Sequence, residues 1–509
     1  MTGKAYCAML QGILVHIVEI EVDISMGIPA IELTGNLGGT VKEAKDRVRA
    51  AIKNSGINIK PSRITINFAP SDLRKEGTHF DLAMAMAIMS ACGIINKEEI
   101  DDTVFIGELG LNGRINPVKA VLTVISHCAD VGIKRCVVPR ENMKEGTYIP
   151  GIEVIGVETL AECLSYLKGI KKLEAVKKVS FNEQDKQYQI DFADIKGQKG
   201  LKRAMLIAVG AMHNILMVGP PGAGKTMTAS RLVTIMPALN LNECIEISQI
   251  YSIAGLLDEE KYFISQRPFR APNYSITKAA MNGGGRNPVP GEMSLANHGV
   301  LFLDELNMFA PEVIETLRIP LEDGKVHINR VSGIYEFPAD FMLVGAINPC
   351  KCGYYPDRNR CNCTEQDIKK HIGKISRPIM DRIDMCVNAP KVQYEEIDNI
   401  NMDTEYTSLN MRNNILRIQE IQQERFKTYS FNLNSQIPNN LIAHFCNMEN
   451  DAKILIKNVY DKYDLTARSY HKIIKVARTI ADIEGHEKIM LPDISEAVGY
   501  RMLDLHDIG

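Results

Sequence analysis

The sequence predicts an α/β fold: a phosphate-binding core built on a parallel sheet, a helical C-terminal region, and a separate α/β domain before the core. First, an apolar strand-like run at 215–218 leads into a glycine-rich loop and a helix-compatible segment that Pro237 ends. Second, another apolar run ends in two adjacent acids at 304–305. Third, strand and helix patterns mix over the first 170 residues, whereas helical patterns dominate after residue 402.

The loop from residue 219 to 226 has the spacing of a phosphate-binding loop, G-x-x-x-x-G-K-T. Glycines let such a loop turn sharply and direct backbone N–H groups at phosphate oxygens, next to a helix N-terminus. Lys225 supplies a positive charge for the β- and γ-phosphates, and the Thr226 hydroxyl can bind Mg²⁺. The predicted binding residues for ATP are Gly219, Pro220, Pro221, Gly222, Ala223, Gly224, Lys225 and Thr226.

The second acidic signal is the segment Gly299-Val-Leu-Phe-Leu-Asp-Glu305. Its acids follow a buried strand, and the carboxyl ends of parallel strands are where an open sheet binds ligands. We expect Asp304 to hold Mg²⁺ and Glu305 to polarise the attacking water. Together with the phosphate-binding loop, this predicts a nucleotide hydrolase, and nothing in the sequence indicates the acceptor-binding lid of a simple kinase.

Composition indicates an ordinary globular protein of two to four domains. The chain has 509 residues, 45% hydrophobic and 24% charged, with a formal net charge of -3. This near-neutral balance means that any nucleic-acid partner must be held by local basic patches. No apolar run reaches 18 residues and no signal peptide is evident, so we expect a cytoplasmic protein without a membrane partner. Twelve cysteines, most of them scattered singly, fit a reducing compartment.

Two segments of the first domain carry a family resemblance, Asp72–Leu82 and Phe105–Lys119. They resemble the N-terminal domain of ComM/YifB proteins, which are magnesium-chelatase-like AAA+ ATPases. The resemblance implies a fold similar to the C-terminal domain of Lon proteases, an S5-like α/β sandwich. His79 stands where the Lon serine would be, and Lys119 is offset from the dyad lysine. A hydroxyl nucleophile needs an adjacent base, so we expect a non-proteolytic scaffold or substrate-presenting domain.

The resemblance extends along the whole chain and divides it into four parts. Residues 1–167 are the Lon-like domain, and 168–190 form a charged, solvated linker. Residues 191–395 are the AAA+ core, in which the Asp194–Gln198 segment lies against the adenine. Residues 396–509 are the helical lid, which resembles the magnesium-chelatase C-terminal domain.

The family pattern also implies roles for three further residues. Asn348 fits sensor 1, which helps to hold the attacking water. Arg382 resembles the arginine finger that reaches the γ-phosphate of a neighbouring subunit. The alternative for Arg382 is a surface ion pair with Asp381 or Asp384. Arg468 matches sensor 2, where the helical lid contacts nucleotide.

Four clustered cysteines form a possible metal site with the spacing C-x-C-x₈-C-x-C. They are Cys350, Cys352, Cys361 and Cys363. Four thiolates favour structural Zn²⁺, and Gly353 allows the chain to turn between ligands. The spacing is not the common C-x₂-C, so free thiols or a reversible disulfide remain the alternative.

Two segments are candidate contacts to a nucleic acid. Residues 261–291 contain five basic residues and no acid, and 322–337 has the pattern of a β-hairpin bearing Lys325, His327 and Arg330. Such segments can follow a phosphate backbone. In this clade the hairpin faces the central pore of a ring. The alternatives are a loop that packs a subunit interface and a solvated hairpin face.

The combined prediction is a ring-forming AAA+ motor that hydrolyses ATP with Mg²⁺, with Zn²⁺ as a possible structural metal. The resemblance implies a homo-oligomer, a hexamer, that acts on branched or single-stranded DNA in branch migration or as a helicase, during recombination or natural transformation. The alternative is a protein-remodelling or chelatase-type ATPase without a DNA track. A third reading is an ATP-gated scaffold with little turnover.

Overall fold

The computed structural model describes residues 2–181, 189–258, 260–331, 333–393, 396 and 404–501. Within these ranges the chain forms an amino-terminal α/β domain, a parallel-sheet core and a helical C-terminal region. The predicted fold class, an AAA+ core with a helical lid after an α/β domain, is confirmed.

The amino-terminal domain is built on one mixed sheet. Its strands are β1 (Thr2–Gln11), β2 (Leu14–Ser25), β3 (Ala30–Thr34), β4 (Arg63–Ala69), β5 (Thr103–Phe105), β6 (Glu108–Leu109), β7 (Ile115–Asn116), β8 (Arg135–Pro139) and β9 (Glu153–Val157). Its helices are α1 (Gly39–Asn54), α2 (Asp81–Ala91), α3 (Lys97–Ile100), α4 (Val121–Asp130) and α5 (Leu160–Leu167). Seven strands follow the order β3-β4-β2-β1-β5-β8-β9, and β6 pairs with β7 separately. Nearly every residue of α2 is buried, because this helix packs directly on β1 and β2.

Strand β1 and helix α5 were not predicted from the sequence. The β1 residues do not alternate between polar and apolar, because β1 is an interior strand paired with β2 on one side and with β5 on the other. By contrast, the clean alternation of Arg63–Phe68 corresponds to β4, and the helical period from Val41 to Lys53 corresponds to α1.

The first part of the predicted linker packs against the amino-terminal domain. Val176 is buried and its N–H donates to the carbonyl of Val154 at 2.9 Å, while Lys178 Nζ donates to the carbonyl of Gly146. Phe181 makes an edge contact with Tyr148. This stretch is therefore less solvated than its charged composition suggests. Residues 182–188 of the predicted linker lie outside the described residues.

The core is a five-stranded sheet in which every pair of neighbours is parallel. The strands of this region are β10 (Ile215–Val218), β11 (Phe269–Arg270), β12 (Gly283–Gly284), β13 (Val289–Pro290), β14 (Val300–Leu303), β15 (Lys325–Arg330), β16 (Gly333–Pro338), β17 (Met342–Ile347) and β18 (Met385–Asn388). The sheet order is β11-β14-β17-β10-β18, while β12 pairs with β13 and β15 with β16 as antiparallel ladders. Its strands are almost completely buried, as expected for a parallel sheet covered on both faces.

Helices connect and cover these strands. The core helices are α6 (Lys199–Gly210), α7 (Lys225–Ile235), α8 (Leu241–Ala254), α9 (Lys278–Asn282), α10 (Glu292–Leu295), α11 (Pro311–Ile314), α12 (Pro320–Asp323), α13 (Glu365–Ile372) and α14 (Arg377–Met380). The C-terminal helices are α15 (Ser408–Phe426), α16 (Ile442–Phe445), α17 (Asn450–Tyr463), α18 (Ala467–Glu484) and α19 (Leu491–Gly499). Helix α18 is central to the helical region, because it packs against α6, α15 and α19.

The amino-terminal domain contacts two parts of the core. The hydroxyl of Ser252, in α8, donates to the buried carboxylate of Glu145 at 2.8 Å. Burial raises the pKa of Glu145, while this bond and its other hydrogen bonds lower it. At the β1–β2 turn, Gln11 Nε2 donates to the carbonyl of Ile334 in β16 at 3.2 Å. The domain therefore touches both α8 and the β15–β16 hairpin. Across the described residues, no helix is both long and apolar enough to cross a membrane.

Candidate active site

The phosphate-binding loop lies between the carboxyl end of β10 and the start of α7. Gly222 and Gly224 adopt φ angles of 77° and 76°, which side chains with a Cβ rarely adopt. A Cβ at Gly219 would lie 2.1 Å from the carbonyl oxygen of Ala389, so only glycine fits beside β18. These glycines allow the loop to close tightly while the first turn of α7 keeps its N–H groups free for an anion.

Lys225 is held back against its own loop. Its Nζ donates to the carbonyls of Gly219 and Pro220, at 2.6 and 3.1 Å, and to Oδ1 of Asn348 at 3.0 Å. Burial lowers the pKa of the Lys225 ammonium, although Asp304 and neighbouring charge counteract this. The phosphate-binding lysine and the predicted sensor-1 residue therefore already lie in contact.

The two acids follow β14, so they lie at the carboxyl ends of the parallel strands, as the phosphate-binding loop does. Thr226 Oγ1 donates to Asp304 Oδ2 at 2.8 Å, so the two predicted Mg²⁺ ligands lie side by side. Hydroxyl and carboxylate oxygens are ligands that Mg²⁺ accepts alongside water and phosphate oxygens. Glu305 is exposed and has a φ of 51°. Such a conformation costs a non-glycine residue about 1–3 kcal/mol, and it places the carboxylate beyond the strand end.

Gln198 has a structural role that the sequence analysis missed. Its side-chain amide donates to the carbonyls of Ala223 and Pro390, both at 2.7 Å. It thereby ties the segment predicted to meet the adenine to the phosphate-binding loop and to the end of β18. The adjacent Asp194 pairs with Arg231 of α7 at 3.0 Å. The Asp194–Gln198 motif indicated that this segment lies near the nucleotide. It did not indicate the hydrogen bonds of Gln198, because their acceptors lie far along the chain.

A second missed group lies behind Asn348. Asn307 is buried and its Nδ2 lies 2.9 Å from Nε2 of His371, in α13. Burial lowers the pKa of His371, so its ring is neutral and can accept this hydrogen bond. His371 also bonds to the backbone of Asn348. The neutral histidine therefore links the segment after the two acids to Asn348, the predicted sensor-1 residue.

The two predicted catalytic arginines lie together at the amino ends of the parallel strands. Arg382 precedes β18 and is only 4% exposed, and its Nη2 lies 2.8 Å from Oε1 of Glu322. Arg468, in the first turn of α18, donates to the same oxygen. The cavity that both arginines line also contains residues just before β10, β14 and β17, so the arginines lie at the amino ends of strands that span roughly 13 Å, whereas the phosphate-binding loop lies at their carboxyl ends.

These positions correct one expectation. The predicted alternative for Arg382, an ion pair with Asp381 or Asp384, is wrong because its partner is Glu322. Asp384 instead pairs with Lys472 of α18 at 2.6 Å. Burial alone would raise the pKa of Asp384, but Lys472 and a neighbouring histidine hold it well below its usual range. The Asp384–Lys472 pair is thus charged and fastens α18 to the core.

A polar cavity of about 790 Å³ surrounds the arginines, between the core and the helical region. Its lining includes five side chains of lysine or arginine and five of aspartate or glutamate, among them Arg382, Arg468 and Glu322. The lining is therefore balanced in formal charge, and its arginines and lysines are the groups that can bind an anionic group of another molecule.

The four clustered cysteines converge. The sulfur of Cys350 lies 3.3 Å from that of Cys352 and 3.6 Å from that of Cys361, and all four sulfurs, including that of Cys363, lie within 4.8 Å of one another. Four thiolates around one zinc ion, at about 2.3 Å each, are separated by about 3.8 Å, so this donor set fits tetrahedral zinc.

The cysteine loop lies directly against the phosphate-binding loop. A Cβ at Gly353 would lie 2.6 Å from Cδ of Pro221. Bracing of the cysteine loop therefore bears on the position of the phosphate-binding loop.

The basic segment from residue 261 to 291 is only partly available to a ligand. Arg267 donates to the carbonyls of Pro237 and His298, and Arg270 forms a two-bond ion pair with Glu292 at 2.6 and 2.7 Å. These two arginines therefore hold the segment to the core, and they are not the groups through which it could follow a phosphate backbone. The other three, Lys261, Lys278 and Arg286, are exposed.

The β15–β16 hairpin stands beside this segment. Arg330 Nε donates to the carbonyl of Gly285 at 3.3 Å, which brings the hairpin end against the glycine-bearing loop. Lys325 and His327 lie on the exposed side of β15 and face Glu336 across the ladder, at 3.9 and 3.1 Å. Exposed cations from both segments thus share one surface.

The amino-terminal domain brings together no nucleophile and base at the position of the Lon dyad. His79 is half-buried, and desolvation of its ring lowers its pKa to about 4; the ring lies 4.2 Å from that of Phe80. Lys119 lies instead beside Gly255 of the core. His79 is therefore a neutral packing residue.

Comparisons with known proteins agree with this architecture. Three sequence profiles match: "Magnesium chelatase, subunit ChlI" over residues 191–397, "Subunit ChlI of Mg-chelatase" over 20–142 and "Magnesium chelatase, subunit ChlI C-terminal" over 405–501. The Competence protein ComM of Haemophilus influenzae is 37% identical over 504 residues, covering 98% of this chain and 97% of that protein.

Two other relatives give the range of similarity. The uncharacterized protein YifB of Escherichia coli is 34% identical, covering 96% of this chain and 94% of its own length. The magnesium-chelatase subunit ChlI of Mesostigma viride is 20% identical, covering 64% of this chain and 89% of its own length. Similarity to the ComM-type proteins therefore includes the amino-terminal domain as well as the core.

Proposed function

Because the chain belongs to the ComM-type family of magnesium chelatase ChlI-like AAA+ proteins, we propose that it hydrolyses ATP as a ring-forming motor on DNA. The observation that carries the ATPase proposal is the convergence of Lys225, the Thr226–Asp304 pair and Glu305 at one edge of a parallel sheet. Ligands of open parallel sheets bind at this edge.

Each group at this edge has a defined task. The backbone of residues 219–224 wraps the phosphates, and Lys225 turns from its own carbonyls to the β- and γ-phosphates. Thr226 and Asp304 hold Mg²⁺, which offsets the charge of the phosphates. Glu305 polarises the attacking water, and Asn348 orients that water beside the γ-phosphate.

The position of the arginines supports hydrolysis between subunits. Arg382 and Arg468 lie at the amino ends of the strands, opposite the phosphate-binding loop of their own chain, so we propose that they act on the nucleotide of a neighbour. A head-to-tail ring brings the surface with Arg382 and Arg468 of one subunit to the phosphate-binding loop of the next. We propose a hexamer, as the resemblance implies, with both arginines stabilising charge at the neighbour's γ-phosphate.

DNA is the proposed track because exposed cations cluster on two adjacent segments. Lys278 and Arg286 lie on the glycine-bearing loop, and Lys325 and Arg330 lie on the hairpin. Branch migration fits this surface, since no element of the described chain resembles a base-reading helix. The competence-related name of the Haemophilus relative is consistent with a role in DNA uptake or recombination. A protein-remodelling ATPase is the second candidate, because the amino-terminal domain contacts the same hairpin.

Replacing Lys325 and Arg330 with alanine should weaken DNA binding similarly for all sequences. Each cation on a phosphate releases a counterion, so the double variant should also lower the salt slope of log Kd by about two. Fluorescence anisotropy on forked and four-way DNA across a salt series, with a non-hydrolysed ATP analogue, measures both effects. The matched control is Lys42→Ala with Lys45→Ala, which removes two exposed lysines from α1. Equal loss of affinity in both double variants would contradict the assignment of the hairpin.

We also propose that the four cysteines bind one structural zinc ion. Protein purified under reducing conditions without chelator should contain about one zinc per chain by elemental analysis. Replacing Cys350 and Cys361 with serine should remove the metal, whereas the control Cys92→Ser should retain it. Four freely titrating thiols and no metal in the wild-type protein would show that the cluster is a set of reduced cysteines.

A further inference from the structure

Glu322 occupies a position between the two arginines that neither the motifs nor the family comparisons assign. Its Oε1 accepts hydrogen bonds from Arg382 of the core and Arg468 of the C-terminal helical region. Two guanidinium groups this close repel each other unless an anion lies between them. The two arginines together lower the pKa of Glu322, against the effect of burial. The carboxylate is therefore charged and joins the core to the helical region.

Arg382 holds the segment that carries Glu322 at two points. Its Nε donates to the carbonyl of Arg318 at 3.0 Å, four residues before Glu322, and its Nη2 contacts Glu322 itself. Its Nη1 donates to the carbonyl of Pro378 at 2.6 Å. Of these three nitrogens, Nη2 is the one that does not bond to a backbone carbonyl. A γ-phosphate from a neighbouring subunit therefore competes with Glu322 for Nη2.

The Glu322 segment leads directly into the hairpin. Glu322 belongs to α12, and Gly324, with a φ of 64°, turns the chain into β15. The N–H of Gly324 donates to Pro320, and the carbonyl of Gly324 accepts from Ala339, just past β16, at 2.8 Å. Helix α12 is thus bonded to both legs of the hairpin base. Lys325 is the third residue after Glu322, so the two lie within about 10 Å of each other along the chain.

We propose that Glu322 is a positioning residue that couples the nucleotide in the neighbouring subunit to the β15–β16 hairpin. This inference rests on the proposed function, in which the arginines act on the neighbour's ATP and the hairpin contacts DNA. When the γ-phosphate takes up the arginines, Glu322 shifts, and α12 carries the base of the hairpin with it. Coupling between two sites is reciprocal, so DNA on the hairpin also changes how the arginines engage the γ-phosphate.

The test compares ratios, because a purely structural defect lowers rates in proportion and leaves their ratios unchanged. The first ratio is the ATPase rate with forked DNA divided by the rate without DNA. The second is the Kd for DNA without nucleotide divided by the Kd with a non-hydrolysed ATP analogue. In Glu322→Gln, which keeps the size of the side chain but removes its charge, both ratios should fall to about one.

Two further variants serve as controls. Asp323→Asn removes a charge from the same helix, where Asp323 is exposed and forms no ion pair within the described ranges, and should keep wild-type ratios. Glu322→Asp retains the charge and should restore a large part of both ratios. If Glu322→Gln does not assemble, Arg468→Gln breaks the same bridge from the helical side and should lower both ratios.

The outcomes separate the inference from the function on which it rests. A wild-type protein whose ATPase does not respond to DNA would overturn the proposed function. A responsive wild-type protein with unchanged ratios in Glu322→Gln, or in Arg468→Gln where that variant replaces it, would overturn the role of Glu322 alone. If both ratios also fall to about one in Asp323→Asn, any change of charge in α12 has this effect, and that result contradicts the proposal too.

Discussion

Glu305→Gln should bind ATP as tightly as the wild-type protein and lose most of its hydrolysis. The loop, Lys225 and the Thr226–Asp304 pair that hold the phosphates and Mg²⁺ are untouched by the substitution. Only the carboxylate that polarises water is removed, and an amide cannot accept a proton. General-base contributions are typically about 10²–10⁴-fold, so kcat should fall by about 100-fold or more.

Steady-state ATPase assays and equilibrium titration with a fluorescent ATP analogue measure the two effects separately. Glu312→Gln is the matched control, because Glu312 is exposed on the nearby α11 and should not change turnover. Near-normal kcat in Glu305→Gln would exclude Glu305 as the water-polarising group. Loss of ATP affinity in that variant would instead assign Glu305 to binding.

Arg382→Ala should also bind ATP and fail to hydrolyse it, for a different reason. Arginine fingers contribute about 10³–10⁵ in rate to phosphoryl transfer, so turnover should fall by about 10³-fold. Because Arg382 lies away from the phosphate-binding loop of its own chain, we expect the substitution to impair hydrolysis of the nucleotide bound by the neighbouring subunit. The control is Arg377→Ala, which removes an exposed arginine from the preceding helix α14 and should leave the protein active.

Mixing shows whether the arginine acts between subunits. Lys225→Ala removes the phosphate-binding lysine but retains Arg382, so each inactive variant carries the part that the other lacks. In equimolar mixed rings, about one quarter of the interfaces combine an intact loop with an intact arginine. ATPase activity should therefore appear on mixing and peak at intermediate ratios. Absence of rescue, with mixed assembly verified by subunit exchange, would contradict action in trans.

The phosphate-binding part of the site was predictable because each of its motifs is a contiguous stretch of sequence. The loop from Gly219 to Thr226 is contiguous, and Asp304 and Glu305 directly follow an apolar strand. Parallel strands bring their carboxyl ends to one edge, so the encounter of Thr226 with Asp304 follows from strand polarity alone. The cysteine cluster was predictable for the same reason, since its four ligands lie within one short segment.

The part of the site that holds the arginines was only partly predictable, because its contacts join distant segments. Family resemblance singled out Arg382 and Arg468, but it did not indicate that they share Glu322. Nothing local marks Glu322, which looks like one more acid before a turn. The sequence also did not indicate that Arg267 and Arg270 are engaged within the chain, because their partners lie outside the acid-free segment, at backbone carbonyls and at Glu292.

The ATPase rate of the wild-type protein, measured with Mg²⁺ and with single-stranded, duplex or branched DNA, tests the central claim most directly. The geometry at Lys225, Asp304 and Glu305 predicts hydrolysis that requires Mg²⁺, and the cations of the hairpin and its neighbouring loop predict that DNA, branched DNA above all, raises the rate. Hydrolysis that no DNA changes, together with stimulation by an unfolded protein substrate, would contradict the DNA track and favour protein remodelling. Absence of Mg²⁺-dependent hydrolysis under every condition would contradict the motor itself.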